Sequence, residues 1–119
     1  MFKKEILIVD DEIDICHLLS NILKQKNCYP AFANTISDAQ KAIDKTPPSL
    51  LILDNRLPDG LGMDFIPYVK QKHPSVKILM VTAYDSTTDN LMAYNKGADF
   101  FIAKPLNREL INSAIYKLL

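Results

Sequence analysis

No apolar run in this 119-residue chain is longer than four residues. A membrane-spanning helix needs about 20, so "ILIV" and "LLIL" are far too short to cross a bilayer. The opening "MFKKEI" lacks the apolar stretch that export requires, which predicts a cytoplasmic protein. Charge of one sign is missing too. Lys+Arg and Asp+Glu both number 14, leaving no global field to draw in nucleic acid or an anionic membrane. The two cysteines, Cys16 and Cys28, have no metal-ligand spacing and read as reduced packing residues. Repeats, linkers and low-complexity tracts are absent as well. What is left, 48% hydrophobic and 24% charged, is the composition of one ordinary globular domain over residues 1–119.

Five short runs rich in Ile, Val, Leu and Phe, namely "EILIV", "YPAFA", "LLILD", "KILMV" and "DFFIA", alternate with stretches of helical period. That alternation predicts βα units around a parallel sheet. Three of the runs are apolar on consecutive residues, so helices should cover both faces of those strands. Ile15, Cys16, Leu19, Ile22 and Leu23 recur at helical spacing, as do Leu110, Ile111, Ala114, Ile115 and Leu118. Thr35 to Asp38 has the form of a helix-capping pattern, in which hydroxyl and carboxylate satisfy free amides. A fourth helix should run from Ser86 to Lys96 and stop at Gly97. Pro67 sits inside the third helical stretch, which predicts a loose first turn or a start later than Gly62. Five units with right-handed crossovers and short loops give an α/β, flavodoxin-like (βα)5 three-layer sandwich, with a five-stranded parallel sheet of order 2-1-3-4-5.

In that order the ligand crevice lies at the carboxyl ends of the first and third strands. Asp10, Asp11 and Glu12 follow the first strand, Asp54 ends the third, Thr82 the fourth and Lys104 the fifth, so they should share one rim. Adjacent carboxylates repel unless a cation relieves them. Oxygen ligands clustered without His or Cys suit Mg²⁺, for which Mn²⁺ is a substitute. Asp10, Asp11 and Asp54 against Lys104 leave a net negative charge that one divalent cation neutralises. A site so balanced is poised for an incoming phosphoryl group, which Asp54 could attack to form an acyl phosphate.

These placements resemble the receiver domain of bacterial two-component response regulators. The resemblance runs from Lys4 to the last helix. It is carried by "VDDE" at 9–12, by "LILDNRLPDGLG" at 51–62 with its D-x-x-x-P-x-x-x-G spacing, by "VTA" at 81–83 and by "GADFFIAKP" at 97–105. It implies that Asp54 is the phosphoacceptor, supplied by a sensor histidine kinase or a histidine phosphotransfer protein. Asp11 and Asp54 would bind Mg²⁺ through side chains and Arg56 through its backbone carbonyl, while Asp10 orients metal-bound water. Thr82, with Ala83 after it, would meet a phosphoryl oxygen, and Lys104 would pair with another. The family usually has a cis bond between this lysine and Pro105. Phe101 falls at the position of the aromatic switch, with Phe in place of the frequent Tyr. Arg56 and Tyr84 occupy the two positions that flank the path of hydrolytic water, and so bulky a pair implies slow loss of phosphate. The fourth helix, fifth strand and fifth helix would carry the signal to an output domain or downstream protein. Direct nucleic-acid or membrane binding by this domain is not expected, and dimerisation through the fourth and fifth helices has no ion-pair set that demands it. The chain stops at Leu119, where the last helix should finish, a length that fits both a complete regulator and a part of a longer one.

Simpler roles compete at several positions. Glu12 reads as a cap of the first helix. His17 reads as an exposed helix residue and His73 as a turn residue without a partner carboxylate; Lys70, Lys72 and Lys77 read as a solvated face. A haloacid-dehalogenase-like phosphatase would need a second Asp where Arg56 stands. A flavodoxin would need a hydroxyl-rich loop where "DDE" repels phosphate. A pseudo-receiver, a binding module that never accepts phosphate, would lack part of the acidic and basic set.

Overall fold

A computed structural model describes residues 4–83 and 87–119, with residues 87–89 described by backbone only. The proposed start of the fourth helix at Ser86 therefore lies outside the described residues. The elements run β1 (Lys4–Val9), α1 (Ile13–Lys24), β2 (Cys28–Ala33), α2 (Ile36–Lys45), β3 (Leu50–Leu53), β4 (Arg56–Leu57), β5 (Gly60–Leu61), α3 (Gly62–Lys72), β6 (Lys77–Thr82), α4 (Thr87–Lys96), β7 (Phe100–Ala103) and α5 (Arg108–Leu118). Five strands form one parallel sheet in the order β2-β1-β3-β6-β7. This is the expected 2-1-3-4-5 order. The short β4 and β5 form a separate antiparallel hairpin that no periodicity announces.

Alternation along each strand sends side chains to opposite faces, so each of the two layers of helices receives its own core. Leu7, Val9, Leu51, Leu53, Ile78 and Met80 pack with Ala39, Ile43, Phe65, Ile66, Val69 and Ala93 from α2, α3 and α4. Ile6, Ile8, Leu50, Ile52, Leu79 and Val81 pack on the other side with Cys16, Leu19, Ile22 and Leu23 of α1 and Ile111, Ala114 and Ile115 of α5. Fully burying each Ile or Leu contributes about 1.5–3 kcal/mol, so these two clusters dominate the stability. Both cysteines are buried and free, as expected. Burial raises the pKa of both thiols, and Asp10 adds to the effect at Cys16.

Helix starts hold the other departures. At α2 the Thr35 hydroxyl accepts from Asp38 N at 3.1 Å, but the first two amides, of Ile36 and Ser37, donate to the Asp59 carboxylate at 2.8 and 3.0 Å. The acceptor thus comes from the β4–β5 turn. Of the two alternatives raised by Pro67, the later start does not occur: α3 starts at Gly62, with Pro67 inside it. Proline has no amide to donate into the helix, yet the side chains around it, Phe65, Ile66 and Val69, are buried and hold the helix against the sheet. Helix α4 ends at Gly97, whose φ of 119° favours a residue without Cβ.

Two readings need correction, His73 as a residue without a partner carboxylate and Lys70 as part of a solvated face. His73 Nε2 lies 2.9 Å from Asp44 Oδ1, and Tyr68 donates to Asp44 Oδ2 at 2.6 Å, tying the ends of α2 and α3 together. Lys70 is only 23% exposed in its side chain and donates to Asp99 Oδ2 at 2.7 Å and to the Val76 carbonyl at 3.0 Å. The same Asp99 oxygen accepts from Ile78 N at 2.8 Å, so α3 is anchored to the start of β6 and the approach to β7. His17 is exposed, as expected, and meets Phe32 edge-on.

Candidate functional site

The crevice is built by strand ends. Asp54 N donates to the Val9 carbonyl at 2.9 Å and Asp10 N to the Ala33 carbonyl at 3.1 Å, which extends the parallel pairing one residue past the strands. Lys104 N donates in turn to the Thr82 carbonyl at 2.9 Å. Hydrogen-bonded backbone therefore fixes where the four side chains start. Asp11, Glu12, Asp54, Arg56, Thr82, Ala83 and Lys104 line a crevice of about 240 Å³. The Lys104–Pro105 bond beside it is cis.

Asp10 is 3% exposed and Asp54 6%, unusual burial for two acids. Asp10 Oδ1 accepts from Glu12 N at 2.9 Å, and its Oδ2 takes the Lys104 ammonium at 3.0 Å. Asp54 Oδ1 accepts from Asn55 N at 2.9 Å, and its Oδ2 stands 3.6 Å from Lys104 Nζ. Glu12 occupies the N-cap position of α1 without a side-chain capping bond. Its carboxylate instead accepts from the Lys104 ammonium at 3.2 Å.

Burial, then the charge of Asp10, pushes the Asp54 carboxyl up to about 6, against the opposing pull of Lys104 and the Asn55 amide. The Lys104 pKa also rises, which for a lysine favours the charged form. Burial disfavours its charge, but the hydrogen bond to Asp10 and the charges of Asp54 and Asp10 outweigh that and raise its pKa. Lys104 is thus a fixed cation, and Asp54 is an acid held charged at a cost.

Asp10, Asp11, Glu12 and Asp54 each offer one carboxylate oxygen, all within 4.8 Å of one another. Four hard oxygen donors, two of them buried and only partly neutralised by one lysine, match the donor chemistry of magnesium. Phe101, by contrast, does not line the crevice. It is half-buried and packs on the side of the sheet covered by α2, α3 and α4, while Phe100 packs on the other. Tyr84 lies outside the described residues. Thr82 is 2% exposed.

Sequence reasoning passed over Asn55, which is 7% exposed. Its carbonyl accepts from Gly62 N at 2.6 Å and its side-chain oxygen from Met63 N at 3.0 Å. Its burial, which no local pattern announces, is what requires these partners, since buried polar side chains need them.

A parallel α/β sandwich with an acidic crevice at the carboxyl ends of its central strands defines the receiver class of signalling domains. Residues 6–116 match the family model described as response regulator receiver domain, and the chain belongs to that family. It is 36% identical over 119 residues to the response regulator protein PilR of Pseudomonas aeruginosa, covering 97% of this chain and 27% of PilR. The receiver domain of a LuxO repressor protein from Vibrio parahaemolyticus superposes with a TM-score of 0.93 at 26% identity, covering 98% of this chain and 90% of that one. A CheY-like receiver domain protein of Methanospirillum hungatei gives 0.91 at 31% identity, covering 98% and 94%. The chain spans only about a quarter of PilR and 60% of RegA of Rhodovulum sulfidophilum, a second curated relative. Among the described residues, no helix is long and apolar enough to cross a membrane.

Proposed function

We propose that this domain accepts a phosphoryl group on Asp54 from a histidine kinase or a histidine phosphotransfer protein, and that the acyl phosphate biases the surface formed by α4, β7 and α5. One observation carries the reading. A buried carboxylate, Asp54, lies 3.6 Å from a lysine ammonium and within 4.8 Å of carboxylate oxygens from three further acids. Asp54 attacks phosphorus through one carboxylate oxygen; the bond from phosphorus to the donor breaks, and the donor keeps the electron pair. Lys104 can follow the transferring group, since its ammonium already points between Asp10 and Asp54. The Thr82 hydroxyl, at the end of the neighbouring strand, and Ala83 would meet the remaining phosphoryl oxygens. Asp10, Asp11 and Asp54, with the Arg56 carbonyl, are the groups that would hold magnesium. When bound, it supplies positive charge beside the phosphoryl oxygens.

Once formed, the phosphate adds about −1.5 to −2 charge at a place where Thr82 and Lys104 are joined through backbone. Movement of Thr82 toward it would free space for Phe101 on the same side of the sheet, and the ring would transmit the change to α4 and along β7. Arg56 at the crevice wall, and Tyr84 by its place in the sequence, would slow hydrolysis of the acyl phosphate. The domain is then a signalling element, with self-catalysed gain and loss of phosphate and no metabolic turnover.

Incubation with Mg²⁺ and acetyl phosphate, followed by intact mass, tests the proposal. A phosphate-sized increment that disappears in Asp54→Asn supports it. A folded wild type that takes no adduct from acetyl phosphate or from phosphorylated histidine donors overturns it and favours a pseudo-receiver that only binds proteins.

A further inference from the structure

From the bonds around residues 54–63 we infer that Asn55 is a positioning residue for phosphoryl acceptance, a role that rests on the reading of Asp54 as acceptor. Helix α3 begins at Gly62 with Leu61 before it, an apolar residue that supplies no side-chain cap. Free amides at a helix start must find acceptors. Asn55 provides two of them, its main-chain carbonyl to Gly62 and its side-chain oxygen to Met63. The residue is buried, so neither bond is readily replaced by water.

These two bonds fix the Asn55 peptide from the helix side. Its own amide then faces back to Asp54 Oδ1 at 2.9 Å, leaving Oδ2 as the oxygen toward Lys104. The helix start also lies close against the backbone of Asp54, since a Cβ on Gly62 would overlap the Asp54 carbonyl oxygen. Asn55 therefore joins a rigid element to the orientation of one carboxylate. Without its side chain the amide stays, but the peptide that carries it is held by one bond fewer, and the two Asp54 oxygens lose their fixed assignment.

In the transfer from acetyl phosphate, the bond between phosphorus and the acetate oxygen breaks as the bond from phosphorus to Asp54 Oδ2 forms, and acetate leaves with the electron pair. Misorientation of Oδ2 slows that step without weakening capture of the donor. The test compares wild type, Asn55→Ala and Asn55→Asp by rate of adduct formation across acetyl phosphate concentrations, with Mn²⁺ affinity from electron paramagnetic resonance. Asn55→Asp keeps an oxygen of the same reach for the Met63 amide. The expectation is a maximal rate at least about tenfold lower in Asn55→Ala, with unchanged half-saturating donor and Mn²⁺ affinity, and partial recovery in Asn55→Asp. A folded Asn55→Ala with wild-type maximal rate refutes the role. So does an Asn55→Asp that is as slow as Asn55→Ala. Failure of wild type itself to form the adduct would instead refute phosphoryl acceptance.

Discussion

The Lys104 ammonium lies 3.0 Å from Asp10 Oδ2, although 94 positions separate the two residues in the chain. With its side chain 11% exposed, Lys104 is the counter-charge for Asp10 and Asp54. Removing it leaves both acids buried and uncompensated. Lys104→Met should lose about 3 kcal/mol of stability in metal-free buffer, measured by urea unfolding, and recover part of it with Mg²⁺. A loss below about 1 kcal/mol would mean that water already screens the cluster.

Asp54 gives the opposite sign. Its folded pKa, about 6, stands above the ordinary 3.8, so the folded state binds more protons than the unfolded chain between those values. Stability therefore falls as pH rises from about 4 to about 6, and the penalty is complete above that window. Asp54→Asn should stabilise the metal-free protein by about 2 kcal/mol at pH 7, with the gain vanishing towards pH 4. Equal melting temperatures for the two proteins at pH 7 would contradict this.

Gly62→Ala places a methyl group against the Asp54 carbonyl and close to Leu53. Neither backbone nor strand can yield freely there. Overpacking costs about 1–3 kcal/mol, and the carboxylate should move with its backbone. Chemical denaturation will report the first effect, and slower adduct formation on the remaining folded protein the second.

Asp44 governs a different pH range. Hydrogen bonds from His73 and then Tyr68, aided by Lys72, hold its carboxyl at about 2, below the ordinary 3.8. A depressed acid stabilises the fold above the unfolded value, and that contribution disappears as pH falls through the folded one. Asp44→Asn should melt lower than wild type at pH 5–7, and the two curves should converge between about pH 4 and pH 2. A constant gap down to pH 2 would show that the bonds do not depend on the ionised form.

What could be read in the sequence divides along range. Strands such as Ile6–Val9 and Leu50–Leu53 are buried on both faces, so their consecutive apolar residues mark them whatever the partner. Strand order followed from connection rules, and with it the rim that gathers Asp10, Asp11, Asp54, Thr82 and Lys104. Pairings across the chain left no such mark. Nothing local tells that Asp59 caps a helix 22 residues earlier, that His73 meets Asp44, or that Glu12 turns from its helix toward Lys104. Two-residue strands such as β4 and β5 are likewise too short for a period to emerge. Asn55 fell between these cases, conspicuous as a buried amide only once its burial is known.

Pro30 sits in the middle of β2, the outermost strand beside β1. The Ala33 carbonyl turns inward to Asp10, so by alternation residues 28, 30 and 32 direct their main-chain groups away from the sheet. The donor that proline lacks is therefore missing from the outward row. A strand from another molecule that tried to zip onto this flank would find a gap halfway along, which protects the protein from ribbon-like aggregation when it is crowded.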